Sequence, residues 1–291
     1  MQNALDLAIK KKELGTLDGA YKGVYRAYMD EQLWQIFYGD MRDNHPRAFL
    51  QYGAGSGGEL NPKGKLPPKM ASYGSSSRMI YSLSKDIGGF FFEYKLPTTV
   101  GGVANMDGYL ECPDRHIFIE AKCREPYGSH ANSISDKYRD LYNYLNEANN
   151  SLGITYSVED KKLNCTFTVG GTVVEHLDVK QIICHLLGMA TRFLTYPSDK
   201  GVTFVYLCYC PQYLAFDNAA MEAKIFKVYD RMCEEFRLLD VKALFADVVR
   251  YLMDSKKKIC NATALGVETL VSGFNAVLVD QMDYVDMMRG K

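Results

Sequence analysis

The chain has 291 residues, 47% of them hydrophobic, and a formal net charge of −1. Such a chain can bury a sizeable core, while no apolar run approaches the roughly 20 residues that span a bilayer. The charge excludes a polycationic protein, so any nucleic-acid binding needs a local basic surface. The eight cysteines lack the spacing of a zinc site, and no signal-peptide pattern opens the chain. We therefore expect a soluble, reduced, cytoplasmic protein without membrane contact.

The N-terminal region is predicted to be helical. A short helix is expected within residues 1–16, ended by Gly15, and a longer one from about Asp18 to Arg42, where apolar residues recur at helical spacing. Glu31 lies on the apolar stripe of the longer helix. Such a carboxylate either pairs with a basic residue of its own helix or faces a functional site, and the pattern leaves both interpretations open.

Residues 51–78 differ from their surroundings because they are rich in Gly, Pro, Ser and Lys and show no periodicity. This composition predicts a long surface loop. The loop is also the most basic of the chain, through Lys63, Lys65, Lys69 and Arg78. A solvated linker is the simpler interpretation, and a loop that wraps a phosphate backbone is the functional one.

A β-hairpin is predicted next, after a first strand near residues 90–96. Its two strand-like runs, Met106–Glu111 and His116–Cys123, flank Pro113-Asp114. Pro followed by Asp favours the centre of a type I turn. With the turn centred there, the numbers of paired residues sum to 227.

This register places Asp107 opposite Glu120, with Cβ atoms about 4.5–5.5 Å apart, and Lys122 on the same face as Glu120 because side chains alternate along a strand. Two carboxylates this close repel each other unless a cation lies between them. Oxygen ligands on a rigid sheet suit Mg²⁺, or alternatively Mn²⁺, and an ammonium beside the metal can hold an attacking water. The hairpin therefore predicts a metal-dependent hydrolytic site, with a surface salt-bridge ladder as the alternative.

The next segment, from Arg124 to about Leu177, is an insertion with a helix within residues 135–150 and a hairpin around Gly170-Gly171. A buried strand is expected at Val202–Cys210. From Ala219 onward the pattern is helical to the end, with helices near 219–238, 240–254 and 262–275.

Between the insertion and that strand, a helix is predicted over Asp178–Leu194, where Asp178 and Gln181 form a plausible capping box. Its broad apolar face carries one narrow polar stripe, made of Gln181, His185, Gly188 and Arg192. Gln181 either only caps the helix or faces the site on the hairpin. His185 is either a satisfied buried histidine or a member of that site.

The order Asp107, hairpin, Glu120-x-Lys122 resembles the PD-(D/E)XK nuclease superfamily, which has the restriction-endonuclease-like fold. Met106 stands where that family often has Pro. A second triplet, Glu93-Tyr94-Lys95, is strand-like too, but it lacks an Asp on a preceding paired strand. The resemblance implies an α/β fold with an αβββαβ core, a mixed central sheet flanked by helices, and helical additions at both termini.

The resemblance also implies roles for individual residues. Asp107, Glu120 and the main-chain carbonyl of Ala121 would bind the metal, and Lys122 would position the nucleophile. Several members of the family place a Gln at the start of the helix after the hairpin, and a helix before the sheet often supplies one more acidic residue. These supporting roles fall on Gln181 and Glu31.

We therefore predict a single nuclease-like domain over residues 1–291, with its core at about 85–210, an insertion at about 124–177 and a helical region at about 219–291. Its expected activity is that of a Mg²⁺-dependent endonuclease acting on DNA, most simply duplex DNA, and a homodimer is compatible with this. Two alternatives stay open: a catalytically inactive nucleic-acid-binding protein of the same fold, and a hydrolase or binding protein for a small phosphorylated ligand.

Overall fold

A mixed five-stranded sheet forms the centre of the computed structural model, which describes residues 1–55, 58–128, 133–148, 152–159, 162–255 and 263–290. The helices are α1 (Gln2–Leu14), α2 (Glu31–Asn44), α3 (Pro46–Gly53), α4 (Ser76–Ser84), α5 (Arg139–Ala148), α6 (Val179–Thr195), α7 (Ala219–Leu238), α8 (Val241–Asp254), α9 (Ala264–Ser272) and α10 (Gln281–Met288). The strands are β1 (Phe91–Pro97), β2 (Val103–Glu111), β3 (Arg115–Lys122), β4 (Ser133–Ile134), β5 (Leu152–Glu159), β6 (Lys162–Val169), β7 (Thr172–Val173), β8 (Gly201–Cys208) and β9 (Phe274–Asp280).

The strands of the central sheet follow the order β1-β2-β3-β8-β9. The first three are antiparallel neighbours, β8 joins parallel to β3 after the helix α6, and β9 joins parallel to β8. The predicted α/β class, with a mixed sheet flanked by helices, is confirmed. None of the helices within the described ranges combines the length and the hydropathy needed to cross a membrane.

The predicted register of the β2–β3 hairpin is confirmed. Gly108 lies opposite Ile119, and three further pairs keep the same sum of residue numbers as far as Glu111 opposite His116. The amide of Cys112 donates to the carbonyl of Arg115 at 2.8 Å, which closes the turn over Pro113-Asp114. The pairing ends at Gly108 and Ile119, so it does not extend to the predicted pair of Asp107 and Glu120.

Both faces of β3 are covered. One face meets a core that includes Phe118 and Leu186, here called the α6-side core, and the other meets a core that includes Ile119 and Ile80, the α4-side core. Glu120 is therefore 2% exposed and Lys122 is 7% exposed. The alternative of a salt-bridge ladder on a half-exposed sheet face is wrong, because α6 covers that face.

The second predicted helix starts later than expected. α1 ends at Gly15, whose φ of 72° gives the expected left-handed cap, but α2 begins only at Glu31. The chain before it turns repeatedly, with positive φ at Gly19 and Gly23, and the side chain of Asp30 caps α2 by accepting from the amide of Leu33 at 2.8 Å. Glycines in left-handed conformations are incompatible with one continuous helix.

Much of the segment 51–78 is packed against the rest of the structure, but residues 61–66 are exposed; residues 56–57 lie outside the described positions. It contains the end of α3 and the start of α4, and Met70 and Ala71 between them are fully buried. Of its predicted basic residues, Arg78 is buried and pairs with Glu13. The sequence did not predict the packing of this segment, because its buried residues are too few to give a regular hydrophobic period.

The insertion and the C-terminal region contain additional strands. The hairpin at Gly170-Gly171 is confirmed as the β6–β7 turn, and β4 and β5 extend it into a small second sheet. α7, α8 and α9 agree with the prediction, but Phe274–Asp280 is a strand and not part of a helix. The apolar run Phe274–Asp280 is compatible with a helix or a strand. It forms a strand because it pairs with β8, which is distant in sequence.

Candidate metal-binding site

A cleft of about 520 Å³ opens beside the C-terminal end of β3, between the sheet and the first residues of α4 and α6. Five of the predicted site residues line it: Asp107, Glu120, Ala121, Lys122 and Gln181. They come from β2, β3 and α6, so one hairpin and one helix position all five. The structure thus brings together residues that the sequence separates by up to 74 positions (181 minus 107).

Asp107 enters the cleft through a break in strand alternation. On β2, Met106 and Tyr109 both belong to the α6-side core, although they are three residues apart. The paired strand β1 has the same break at Glu93, which lies between Phe92 opposite Gly108 and Tyr94 opposite Met106. Glu93 has a φ of 52°, which is unusual for a residue with a side chain. The matched breaks place both carboxylates in the cleft lining.

The Asp107 carboxylate is held by the main chain of β3. Its Oδ2 accepts from the amide of Ala121 at 2.7 Å. The carbonyl of the next residue, Lys122, accepts from Tyr209 N at 3.1 Å and so faces β8. Successive backbone groups of a strand point to opposite edges, so the Ala121 carbonyl faces Asp107, as the predicted metal ligand should. Burial raises the pKa of Asp107 well above its usual range; the charge of Glu120 raises it further, and Lys122 opposes the shift.

Glu120 and Lys122 form a buried ion pair with His185 as a third member. Lys122 Nζ lies 2.8 Å from Glu120 Oε1, and His185 Nε2 lies 2.8 Å from Glu120 Oε2. Burial alone would raise the pKa of Glu120, but Lys122 and His185 outweigh it and lower the value to about 2. The pKa of Lys122 is raised well above its usual range, because Glu120 outweighs the effect of burial. Both side chains are therefore charged at neutral pH.

Gln181 connects α6 to this pair. Its Oε1 accepts from Lys122 Nζ at 2.6 Å, and its backbone N–H donates to Asp178 Oδ1 at 3.0 Å. Asp178 thus caps α6 as predicted, but the Gln181 side chain goes to Lys122. Of the predicted polar stripe, Gln181 and His185 face the site. Gly188 lies where α6 packs closely against the sheet, since a Cβ added to Gly188 would lie 2.9 Å from Leu96 Cβ.

Glu31 does not join the cleft. It is an exposed residue at the first position of α2, and it is not among the residues that line the cleft in the described part of the chain. The prediction that it supports the site is wrong. The prediction assumed a helix that included residues 18–30 and so placed Glu31 on its apolar stripe. Because α2 begins only at Glu31, it has no apolar stripe at this position.

Three carboxylates of the cleft, those of Glu59, Glu93 and Glu125, were not predicted as site residues. Glu125 Oε2 accepts from the amide of Cys123 at 2.8 Å. Glu93 belongs to the second Glu-x-Lys triplet, and the burial of its side chain, together with the charge of Glu59, raises its pKa to about 7. Glu59 is 5% exposed and pairs through Oε1 with Lys69 Nζ at 2.9 Å. Its Oε2 is buried and accepts no hydrogen bond from any described residue. Glu59 comes from the segment without periodicity, so no local signal pointed to it.

The donor set suits a hard divalent cation. No group of three or more His, Cys, Asp or Glu side chains within the described ranges is arranged so that it could hold a metal ion by itself. Mg²⁺ usually needs only one or two carboxylates, together with water and substrate oxygens. Burial, with the charge of neighbouring carboxylates, raises the pKa values of Asp107 and Glu93, and Glu59 Oε2 has no hydrogen-bond partner among the described residues. A carboxylate has about four lone-pair sites, so the partners of Glu120 do not exhaust it.

No protein-family model, no curated protein and no solved structure matches this chain.

Proposed function

We propose that this protein is a metal-dependent endonuclease that hydrolyses phosphodiester bonds of DNA, with Mg²⁺ or Mn²⁺ as its cofactor and the restriction-endonuclease-like fold as its core. The observation that supports it best is that Asp107, Glu120, Lys122 and Gln181 meet in one cleft. Their chemistry is that of the PD-(D/E)XK motif that the sequence resembles. Three of them act as one connected unit through Lys122 Nζ.

In this proposal, Asp107, Glu120 and the Ala121 carbonyl hold the cation. The cation supplies Lewis-acid polarisation of the scissile phosphate and a lower pKa for its bound water. Lys122 orients the attacking water by donating a hydrogen bond and stabilises negative charge on the phosphate oxygens. Gln181 positions Lys122 because its Oε1 accepts a hydrogen bond from Lys122 Nζ at 2.6 Å. The burial of Lys122 excludes bulk water, which strengthens these charge interactions.

Plasmid cleavage tests the proposal. Supercoiled plasmid, a mixed-sequence genomic duplex and single-stranded DNA are incubated with the protein and Mg²⁺ or Mn²⁺, beside EDTA controls. The critical variant is Asp107→Asn, because the cleft already favours the uncharged carboxyl and the amide oxygen can still accept from Ala121 N. Lys224→Ala, at an exposed position of α7, is the control for a lost surface charge.

We expect cleavage that requires the metal, disappears in Asp107→Asn and persists in Lys224→Ala. Circular dichroism must show that both variants are folded. Equal cleavage by Asp107→Asn would remove this cleft as the active site. If the wild-type protein binds these DNAs in a gel-shift assay but cleaves none of them, the inactive DNA-binding alternative would replace the proposal.

A further inference from the structure

Besides Asp107, Glu120 and Glu125, the cleft is lined by two further carboxylates, Glu59 and Glu93. Glu59 comes from the segment between α3 and α4, and Glu93 from the break in β1. Neither belongs to the Asp-hairpin-Glu-x-Lys pattern. They therefore need an explanation that is separate from Asp107 and Glu120.

The two carboxylates approach each other beside Gly55. The position that a Cβ would take on Gly55 lies 3.4 Å from Glu93 Oε2 and 3.7 Å from Glu59 Oε2. The same Glu59 Oε2 is the buried oxygen without a partner among the described residues. A glycine at this point leaves open the space that both oxygens face. An unpartnered, buried carboxylate oxygen is costly unless a ligand satisfies it.

The charges around this pair do not balance within the protein. Lys69 reaches only Oε1 of Glu59, and its side chain is 63% exposed, so the ion pair lies at the rim of the cleft. Lys95 donates instead to the carbonyl of Ala54 at 3.1 Å. Glu59 Oε2 therefore stays without a partner among the described residues.

We propose that Glu59 and Glu93 bind a second divalent cation, distinct from the one assigned to Asp107 and Glu120. Two carboxylates, completed by water and phosphate oxygens, are a usual ligand set for Mg²⁺. Two cations in one cleft can contact both the attacking and the leaving oxygen of a phosphodiester. The inference rests on the proposed function for its choice of ligand, but it is tested by counting cations and not by cleavage.

The experiment is a titration of the protein with Mn²⁺ in metal-free buffer at pH 8. Electron paramagnetic resonance measures the free Mn²⁺ and thus the number bound per chain. Wild type, Glu59→Gln, Glu93→Gln and Asp107→Asn are compared. Glu31→Gln is the matched control, since it removes one exposed carboxylate outside the cleft.

We expect two bound Mn²⁺ in the wild type and in Glu31→Gln, and one in each of the three cleft variants. The double variant Glu93→Gln/Asp107→Asn should bind none. Circular dichroism confirms that each variant is folded before its binding is interpreted.

The failures of the two proposals are distinguishable. One Mn²⁺ in the wild type that is lost in Asp107→Asn but kept in Glu59→Gln and Glu93→Gln would overturn the second site and leave the first. One Mn²⁺ that is lost in Glu59→Gln or Glu93→Gln but kept in Asp107→Asn would support the second site and overturn the first. No binding in the wild type would overturn both.

Discussion

The buried ion pair makes a sharp prediction for Glu120→Gln. The substitution keeps the size of the side chain and an acceptor for His185, but it leaves the Lys122 ammonium without its counter-ion at 2.8 Å. Because Lys122 is only 7% exposed, water cannot replace the lost negative charge. If repulsion from Asp107 dominated the energy of Glu120, the substitution would stabilise the fold. The lowered pKa of Glu120, about 2, indicates the opposite sign: its charged form is stabilised in the folded state.

Breaking a buried pair by removing one partner costs about 3–5 kcal/mol. We expect the lower part of this range, about 3 kcal/mol, because Lys122 keeps its hydrogen bond to Gln181 at 2.6 Å. For a chain of this size that corresponds to roughly 6–10 °C in Tm. Urea unfolding at pH 7 with EDTA, followed by circular dichroism, measures the change. Glu31→Gln is the control and should stay within about 0.5 kcal/mol of wild type.

An unchanged or increased stability of Glu120→Gln would refute this reasoning and make carboxylate repulsion the larger effect. The double variant Glu120→Gln/Lys122→Met provides a second check. It removes both charges, and replacing a buried pair as a whole is often neutral. We therefore expect it to recover most of the loss, with a coupling free energy of about 1–3 kcal/mol between the two positions.

Three further predictions concern the surroundings of the ion pair. Burial, Glu59 and Glu120 raise the pKa of Glu93 from its ordinary 4.5 to about 7, against the opposing charges of Lys69 and Lys95, so the stability of the metal-free protein should fall as the pH rises from 4.5 to 7. Glu93→Gln should then stabilise the protein by about 1–3 kcal/mol at pH 8 and have little effect at pH 4. Urea unfolding at both pH values measures this. Gly188→Ala should cost about 1–3 kcal/mol in the same assay, since its Cβ would lie 2.9 Å from Leu96 Cβ, and an unchanged stability would mean that α6 shifts freely. Gln181→Ala should lower kcat for plasmid cleavage by about 10- to 100-fold with little change in KM, and a change in KM alone would make Gln181 a binding residue.

The hairpin could be predicted from sequence because its information is local. The centring of the turn on Pro113-Asp114 fixes the register, and the register fixes which residues share a face. The cap at Asp178 is equally local, and it correctly located the start of α6. These two features fix the positions of Lys122 and Gln181 within their own elements. The packing of α6 on the sheet then brings the two side chains together.

The remaining site residues depend on contacts between distant segments. Glu93 enters the cleft only because the alternation of side chains between the two sheet faces breaks at neighbouring positions of β1 and β2. A sequence pattern with a period of two residues does not predict such a break. Glu59 is buried by packing of a segment that resembles a linker in composition. β9 becomes a strand by pairing with β8, about 70 residues earlier in the chain. Tertiary context decides all three.

The cleft concentrates features that reduce the stability of the fold. Glu93 adopts a positive φ, Glu59 keeps a buried oxygen unpartnered among the described residues, and burial disfavours the charge of Asp107. Residues held in sparsely populated conformations persist where the surrounding structure enforces them, and they cluster at functional sites. A cleft with only a structural role would gain stability from amides at Glu93 and Asp107 and lose nothing. If a cation neutralises these carboxylates, as proposed, added Mn²⁺ should raise the Tm of wild type and have a smaller effect on Asp107→Asn.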